Sequence, residues 1–369
     1  MYVKRLSMKH FRNYAALSLT FQPGIHLFIG DNAQGKTNLL EALYVLSLSR
    51  SYRTAKDREL IQWHHSQAWL EAEIEKQHGK LILELFFTSQ GKKAKLNHIE
   101  RRRLSDYVGA FNVVIFAPED LNLIKGSPRV RRRFIDLELG QISPSYLHHL
   151  GQYQKVLAQR NALLKEAPTH DPAMYAVFTQ QLIDLAVPIY QKRFHFLRQL
   201  SRWAEAIHGS ISQGKETIQL VYQPTAPLDE KMEAAELAAS LAEHYASIKV
   251  KELRQGITLA GPHRDDVAIH VNGHDVQTFG SQGQQRTAAL ALKLAEIELI
   301  KEETGEYPVL LLDDVLSELD DKRRTHLLDA IGRKVQTFVT GTSLEGIDHL
   351  LLQSARLYRV KEGQIVREN

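Results

Sequence analysis

The first twenty-one residues alternate polar and apolar positions, most plainly in Leu17-Ser18-Leu19-Thr20-Phe21, and after Pro23-Gly24 comes a compact apolar run from Ile25 to Ile29. Alternation with a period of two, and a short apolar block bounded by turn residues, both predict strands. Leu81 to Phe87 and Val113 to Phe116 give two more, so sheet fills the first third. Near Gly126-Ser127-Pro128 the period changes. Ser143-Pro144 reads as an N-cap followed by a first-turn proline, and Tyr146, Leu150, Tyr153, Leu157 and Leu164 follow at helical steps. A second helix is expected from Asp171-Pro172 to about His208, bent at Pro188, and a third from Asp229 to Lys251. No heptad run is long enough for an extended coiled coil, so these helices should fold back on one another as a short lobe. Strand signals return at Ile257 to Leu259 and at Val267 to Val271, the latter closed by the turn pair Asn272-Gly273. A helix from Gln282 to about Glu302, a buried strand Val309 to Leu312, a helix after Asp320 and a strand Gln336 to Val339 complete an α/β pattern.

The expected architecture is therefore an α/β head made of residues 1–125 and 255–369, interrupted by a mainly helical insertion, 126–254. A chain of 369 residues is long enough for such a division. Apolar residues at 43% and charged residues at 24% are ordinary globular usage, and no run of eighteen apolar residues occurs. The N-terminal residues enter the alternating pattern directly instead of forming a signal-peptide core, which points to a cytoplasmic protein. The absence of cysteine excludes disulfides, cysteine-ligated zinc and thiol catalysis. Net charge is only +4, but residues 92 to 133 hold eleven Lys and Arg against four acids, a local +7. Lys92, Lys93 and Lys95, then Arg101, Arg102 and Arg103, then Arg131 to Arg133 form its clusters. They fit either a polyanion contact or a solvated charged face.

Gly30-Asp31-Asn32-Ala33-Gln34-Gly35-Lys36-Thr37 fits G-x-x-x-x-G-K-[ST], directly after the apolar run 25–29 and before a helix that includes Asn38. In such a loop, glycines let the backbone curl so that its amides face phosphate oxygens. Lys36 then neutralises the β and γ phosphates, and the Thr37 hydroxyl coordinates Mg²⁺. Val309-Leu310-Leu311-Leu312-Asp313-Asp314 is a hydrophobic strand ending in two carboxylates, the pattern of a Walker B. Asp313 is the candidate Mg²⁺ ligand and Asp314 the candidate that orients or deprotonates the attacking water; the plainer alternative is that both acids cap a turn. Phe279-Gly280-Ser281-Gln282-Gly283-Gln284-Gln285 opens the next-to-last helix. Ser281, Gly283 and Gln284 offer a hydroxyl and bare amides to an anion, or else a simple N-cap. Since the chain already has a loop for its own phosphates, a second anion site implies a second nucleotide.

In this order, with Ser317-Glu318-Leu319-Asp320 after the Walker B, these elements resemble the ABC-type P-loop ATPase head. The resemblance implies ATP as ligand and a head-to-tail homodimer in which the signature of one copy closes on the ATP of the other. Phe11-Arg12-Asn13-Tyr14 and the Gly30 to Ala42 segment resemble the SMC-like branch, where Arg12 would approach the nucleotide. Phe116-Ala117-Pro118-Glu119-Asp120-Leu121, Lys125 to Arg133, Tyr153 to Lys165 and Gly261-Pro262-His263-Arg264-Asp265-Asp266 are similar to the RecF family. That family resemblance implies a DNA-binding, slowly hydrolysing ATPase acting with RecO and RecR to place recombinase on gapped DNA. Two departures from the wider ABC pattern suggest weak catalysis: Asp314 stands where transporters have Glu, and Thr340-Gly341-Thr342 where a switch histidine would follow the strand. His263 is taken as structural, and Arg50 and Arg53 as solvated, although either arginine is within reach of phosphate or DNA. The rival readings are a transporter-type ATP subunit, which would have a shorter signature helix and an Asp-Glu Walker B, and a small-molecule phosphotransferase using the P-loop alone.

Overall fold

Alternation in the first residues produces β1 (Tyr2–Phe11) and β2 (Tyr14–Thr20), an antiparallel pair, and the apolar run becomes β3 (Ile25–Ile29). The computed structural model describes residues 1–165, 172–317, 319–332, 334–343 and 355–368. Helix α1 (Lys36–Leu48) follows β3 through the glycine-rich loop. Next come β4 (Gln67–Lys76), β5 (Gly79–Thr88), β6 (Gly91–Leu96), β7 (Ile99–Glu100) and β8 (Val113–Phe116). A helical stretch comprises α2 (Asn122–Lys125), α3 (Pro128–Ile142), α4 (Pro144–Lys165) and α5 (Pro172–Ser212), the last continuing through Pro188. Then β9 (Ile218–Gln223) precedes α6 (Ala234–Gln255), followed by β10 (Asp266–Val271), β11 (His274–Asp275), α7 (Val276–Phe279) and α8 (Gln282–Thr304). The chain ends with β12 (Val309–Leu312), α9 (Asp321–Ile331), β13 (Thr337–Gly341), β14 (Ala355–Lys361) and β15 (Gln364–Glu368). Among the described residues no helix is long and apolar enough to cross a membrane.

The chain divides into two compact units, Met1–Asp120 with Ala289–Asn369, and Leu121–Ala288. This differs from the boundaries expected at 125 and 255. The reason is β10, expected in the head: it pairs residue for residue with β9, Val267 opposite Tyr222 and Ile269 opposite Leu220, and so belongs with the helices. The expected strand Ile257–Leu259 is not a strand. Gly256 ends α6 in the left-handed region, and the Thr258 backbone donates to Asn161 Oδ1 instead of to a ladder. Asp171, where the second helix is expected to start, and Glu318 fall outside the described residues, whereas Asp320 caps the start of α9, its side chain accepting from the Arg323 amide.

The first unit holds two six-stranded sheets. One is antiparallel, in the order β2-β1-β4-β5-β6-β7, with Ala68, Leu70, Ala72 and Ile74 of β4 buried on one face. The other runs β15-β14-β3-β13-β12-β8, and its five strands from β14 to β8 are parallel. Strands β3 and β12 are buried almost throughout, as parallel strands covered on both faces are, and β13 separates them. The loops after the carboxyl ends of β3 and β12 are thus close neighbours, the position where open α/β sheets place ligands.

In the second unit, α4, α5 and α6 meet around Arg160, which is fully buried. Its Nη2 donates to Glu252 Oε2 at 2.6 Å and to the Tyr175 hydroxyl at 2.7 Å, and its Nη1 donates to Thr258 Oγ1 at 2.7 Å. Removing one member of such a pair leaves a buried uncompensated charge. Arg160→Met should therefore lower stability by about 3–5 kcal/mol in chemical denaturation, and adding Glu252→Met should recover part of that loss.

Candidate functional site

The glycine-rich loop is shaped by what surrounds it. A Cβ at Gly30 would lie 2.2 Å from the Val360 carbonyl oxygen, and Gly35, at φ 118°, would place one 2.6 Å from Asn13 Nδ2. Only glycine fits both positions. On one side the β1–β2 turn grips the loop: Asn13 Nδ2 donates to the Gln34 carbonyl at 3.1 Å and the Tyr14 hydroxyl to the Gly35 carbonyl at 2.9 Å. On the other side the β14–β15 turn does so, the Gly363 amide donating to Gln34 O at 3.0 Å and the Glu362 amide to Gln34 Oε1 at 2.6 Å. Asp31, Asn32 and Ala33 form the exposed crest. Asn38, in the first turn of α1, ties Asn13 to Arg53.

Lys36 is 4% exposed, and its ammonium donates to the carbonyls of Gly30 at 2.5 Å and Asp31 at 2.9 Å. Thr37 Oγ1 donates to Asp313 Oδ1 at 2.9 Å, which joins the start of α1 to the end of β12. Asp313 accepts two further bonds, from Thr340 Oγ1 at 3.1 Å and from the Tyr52 hydroxyl, on Oδ2, at 2.8 Å. Burial, and then the Asp313 carboxylate, hold the Tyr52 phenol well above its usual range, so it stays a donor. Asp314 takes a left-handed backbone, φ 54°, and its amide donates to Thr340 Oγ1 at 2.9 Å. Burial raises the Asp314 pKa, Asp313 raises it further, and Lys36 opposes both.

The sequence therefore places Lys36, Thr37, Asp313 and Asp314 in one site. Tyr52 and Thr340 complete it; Tyr52 was not singled out, and Thr340 only as occupying a switch-histidine position. Arg12 is bound to α1, the helix that follows the loop. Its Nε and Nη2 form a two-pronged pair with Glu41 at 2.8 and 2.6 Å, and Nη1 donates to the Glu59 carbonyl. Glu41 is fully buried and also accepts from Ser51 Oγ and Arg53; Arg53 is thus ion-paired while remaining exposed, and Arg50 is exposed as well.

Ser281 and Gly283 are exposed at the start of α8 in the second unit. The Ser281 hydroxyl accepts from the Gln284 amide at 3.2 Å while Gln284 Oε1 accepts from the Ser281 amide at 2.9 Å, a reciprocal capping box. Gln284 is committed within its own unit, its Nε2 donating to Glu216 at 2.9 Å. His263 is half-buried and hydrogen-bonded to the Tyr153 hydroxyl, and desolvation lowers its pKa to about 4, so it is neutral at pH 7.

The basic residues separate by face. Lys92, Lys93 and Lys95 all lie on β6. Lys92 shares the face of buried Ala94 and Leu96; its ammonium donates to the Ser49 carbonyl at 2.5 Å and lies 3.1 Å from Asp57. Lys93 and Lys95 occupy the opposite face. Arg101, Arg102 and Arg103 are exposed. In the second unit, Arg131 forms a two-pronged pair with Asp266, both bonds 2.8 Å, and Arg132 donates to the Asp265 carbonyl. Asp136, close by on α3, pairs with Arg193 instead.

A family profile described as the RecF/RecN/SMC N terminal domain matches residues 2–364. The chain is 54% identical over 368 residues to the DNA replication and repair protein RecF of Geobacillus sp. (strain WCH70), covering 99% of this chain and 98% of that protein. It is 52% identical to the RecF of Bacillus subtilis (strain 168), with full coverage of both. The chain belongs to the RecF family. Solved structures of the recombination mediator protein RecF, described as RecF-ATPrS and RecF-ATP in the RecFOR pathway, superpose with TM-scores of 0.93 and 0.92 at 33% identity. Each comparison covers 100% of this chain and 98% of the other. An Smc head domain from Pyrococcus furiosus, at 16% identity and TM-score 0.56, shares the fold. RecF membership sets aside the transporter-subunit and phosphotransferase readings, and it makes this an SMC-like ATPase fold with DNA replication and repair as the family's field.

The raised pKa of Asp314 has a stability sign. The folded chain holds that proton at a pH where the unfolded chain has lost it, so stability contributed by this group falls as pH rises through the window between the two values. Asp314→Asn should raise the thermal midpoint at neutral pH, and the difference from wild type should vanish in acid, below the ordinary carboxylate range.

Proposed function

We propose that the chain is an ATP-dependent DNA-binding protein that closes as a homodimer on ATP and DNA, hydrolyses ATP slowly to release, and helps load recombinase at gapped DNA. The reading of RecO and RecR as partners rests on the family and on the RecFOR pathway named for the structural relatives. The observation that carries the proposal is the convergence of Lys36, Thr37, Asp313 and Asp314 beneath one loop, together with an exposed Ser281 at the start of α8.

Phosphates entering the loop meet the backbone amides of residues 31 to 37 and the N-terminus of α1. Lys36 exchanges its bonds to the Gly30 and Asp31 carbonyls for the phosphate oxygens. Thr37 Oγ1 and Asp313 Oδ1 are hard oxygen donors already side by side, 2.9 Å apart, a donor set that suits Mg²⁺ and would hold it. When bound, Mg²⁺ supplies charge neutralisation at the phosphates. Tyr52 and Thr340 hold the Asp313 carboxylate in place. Asp314 positions the attacking water, its burial keeping it a more basic carboxylate than usual. With no imidazole at 340–342, nothing beside the γ-phosphate adds positive charge from that strand. Slow turnover suits a timer that ends a DNA-bound state.

Closure is proposed to bring Ser281 and Gly283 of one copy to the ATP of the other, with the capping box holding the hydroxyl at the helix end. Sedimentation with Mg·ATP and gapped DNA tests this. Lys36→Ala should weaken ATP binding at least about a hundredfold, whereas Ser281→Arg should bind ATP normally and remain monomeric. Dimerisation of Ser281→Arg equal to wild type would remove the trans site.

DNA contact is assigned to Lys93, Lys95 and Arg101 to Arg103. Counterion release makes each phosphate contact visible in the salt dependence. Changing Lys93 and Lys95 together to Ala should reduce the log–log salt slope by about two with ATP binding intact. Lys92→Ala should act differently, costing about 1 kcal/mol of stability through the lost bond to Ser49 while leaving the slope unchanged.

A further inference from the structure

The antiparallel sheet of the first unit carries on its outer face a row of side chains that the nucleotide site does not use. Strand register sets Lys9 of β1 opposite Trp69 of β4, Trp69 opposite Phe86 of β5, and Phe86 opposite Lys93 of β6. At the usual strand spacing the row spans about 14 Å. Ala68, Leu70, Leu85 and Phe87 fill the inner face, and Trp69 and Phe86 remain partly exposed on the other. The two rings lie 6.5 Å apart between centroids and are inclined by 42°. Lys9 Nζ is 5.9 Å from the Trp69 centroid, and Lys95 Nζ is 5.0 Å from that of Phe86. A cavity of about 350 Å³ opens here, bounded by Lys9, His10, Gln67, Trp69, Phe86 and Thr88.

A cross-strand aromatic pair stabilises a sheet by itself. That accounts for the rings but not for their setting. Among the described residues Lys9, Lys93 and Lys95 form no ion pair; Glu84 and Glu100 stand opposite Lys95 in register, whereas Lys9 and Lys93 face no acid across the strands and leave positive charge beside the two rings. Positive charge calls for a polyanion, and partly exposed ring faces call for flat π systems within it. Single-stranded DNA supplies both, whereas a duplex keeps its base faces in its own stack. An acidic peptide would satisfy the lysines and leave the rings without a matching group.

We propose that this face is a stacking site for an unpaired base of single-stranded DNA, with Trp69 and Phe86 receiving the base and Lys9, Lys93 and Lys95 the flanking phosphates. It rests on the reading of the chain as a DNA-binding protein and adds a preference for DNA carrying a single-stranded portion. The lysines alone would bind any strand form by counterion release; the rings make binding depend on bases.

The test uses the full chain with Mg·ATP and three probes: a duplex with an oligo-dT overhang, the same duplex with an abasic overhang, and a blunt duplex. Wild type should bind the dT overhang more tightly than the abasic one. Trp69→Leu with Phe86→Leu should lose on the order of tenfold on the dT overhang and nothing on the other two, and Trp69→Phe should keep most of the affinity. Trp63→Phe with Trp203→Phe leaves Trp69 as the single tryptophan, and oligo-dT should quench it. Equal wild-type affinity for dT and abasic overhangs, with duplex still bound, removes the stacking site and leaves DNA binding standing. Unchanged affinities in the double variant hand the face to a protein partner and overturn the proposal. Equal losses on all three probes with a lowered melting temperature mean a structural role and overturn it too. No DNA bound by wild type under any condition removes the functional reading along with it.

Discussion

A carboxylate that is 6% exposed has to be satisfied by neighbours, and Asp313 is satisfied from three directions. Thr37 comes from the start of α1, Thr340 from β13 and Tyr52 from the segment after α1. These three bonds fix the end of β12 against the glycine-rich loop and against the strand between them. Asp314 depends on the same arrangement, because the hydroxyl that donates to Asp313 accepts its amide and so holds its left-handed backbone. The chemistry proposed for the site follows from this: a carboxylate with little freedom to move, beside a second one kept basic by burial.

The loop is held as firmly by structural bonds as the carboxylate is. Gln34 is fastened through its carbonyl and side chain to turns from both sheets, and Gly35 through its carbonyl to Tyr14. Lys36 satisfies its charge on carbonyls of the loop it belongs to. A ligand then replaces existing bonds without having to order a disordered segment, which lowers the conformational cost of binding.

Local patterns made the loop, β3, β12 and the starts of α4 and α8 legible, since each is announced by a short run whose residue types leave few alternatives. What stayed hidden depends on partners far along the chain. Tyr52 looks like any aromatic after a helix until β12 places Asp313 beside its hydroxyl. Arg12 gave no sign of Glu41, and the Ile257–Leu259 triplet resembles a strand until Asn161 claims the Thr258 amide. Lys92 illustrates the commonest error: charge was read from composition, while the alternation of β6 decided which lysines face water. The division of the chain was misread for the same reason, as nothing local to β10 names β9 as its neighbour.

Strand β3, ending at Ile29, is flanked by β13 and β14, and β14 begins only at Ala355. A ribosome adding about 5–20 residues each second needs roughly 20–60 s to produce those neighbours. Through that interval the five residues Ile-His-Leu-Phe-Ile have no parallel partner, although α1 and the antiparallel sheet beside them are already made. Pairing over such a separation is slow for entropic reasons and leaves an adhesive apolar segment exposed while it waits. The nucleotide loop hangs from that segment and is braced by the β14–β15 turn, so ligand competence arrives last, with the final strands to be synthesised. A chain cut short before β14 therefore lacks the Glu362 and Gly363 amides that brace Gln34 from that side.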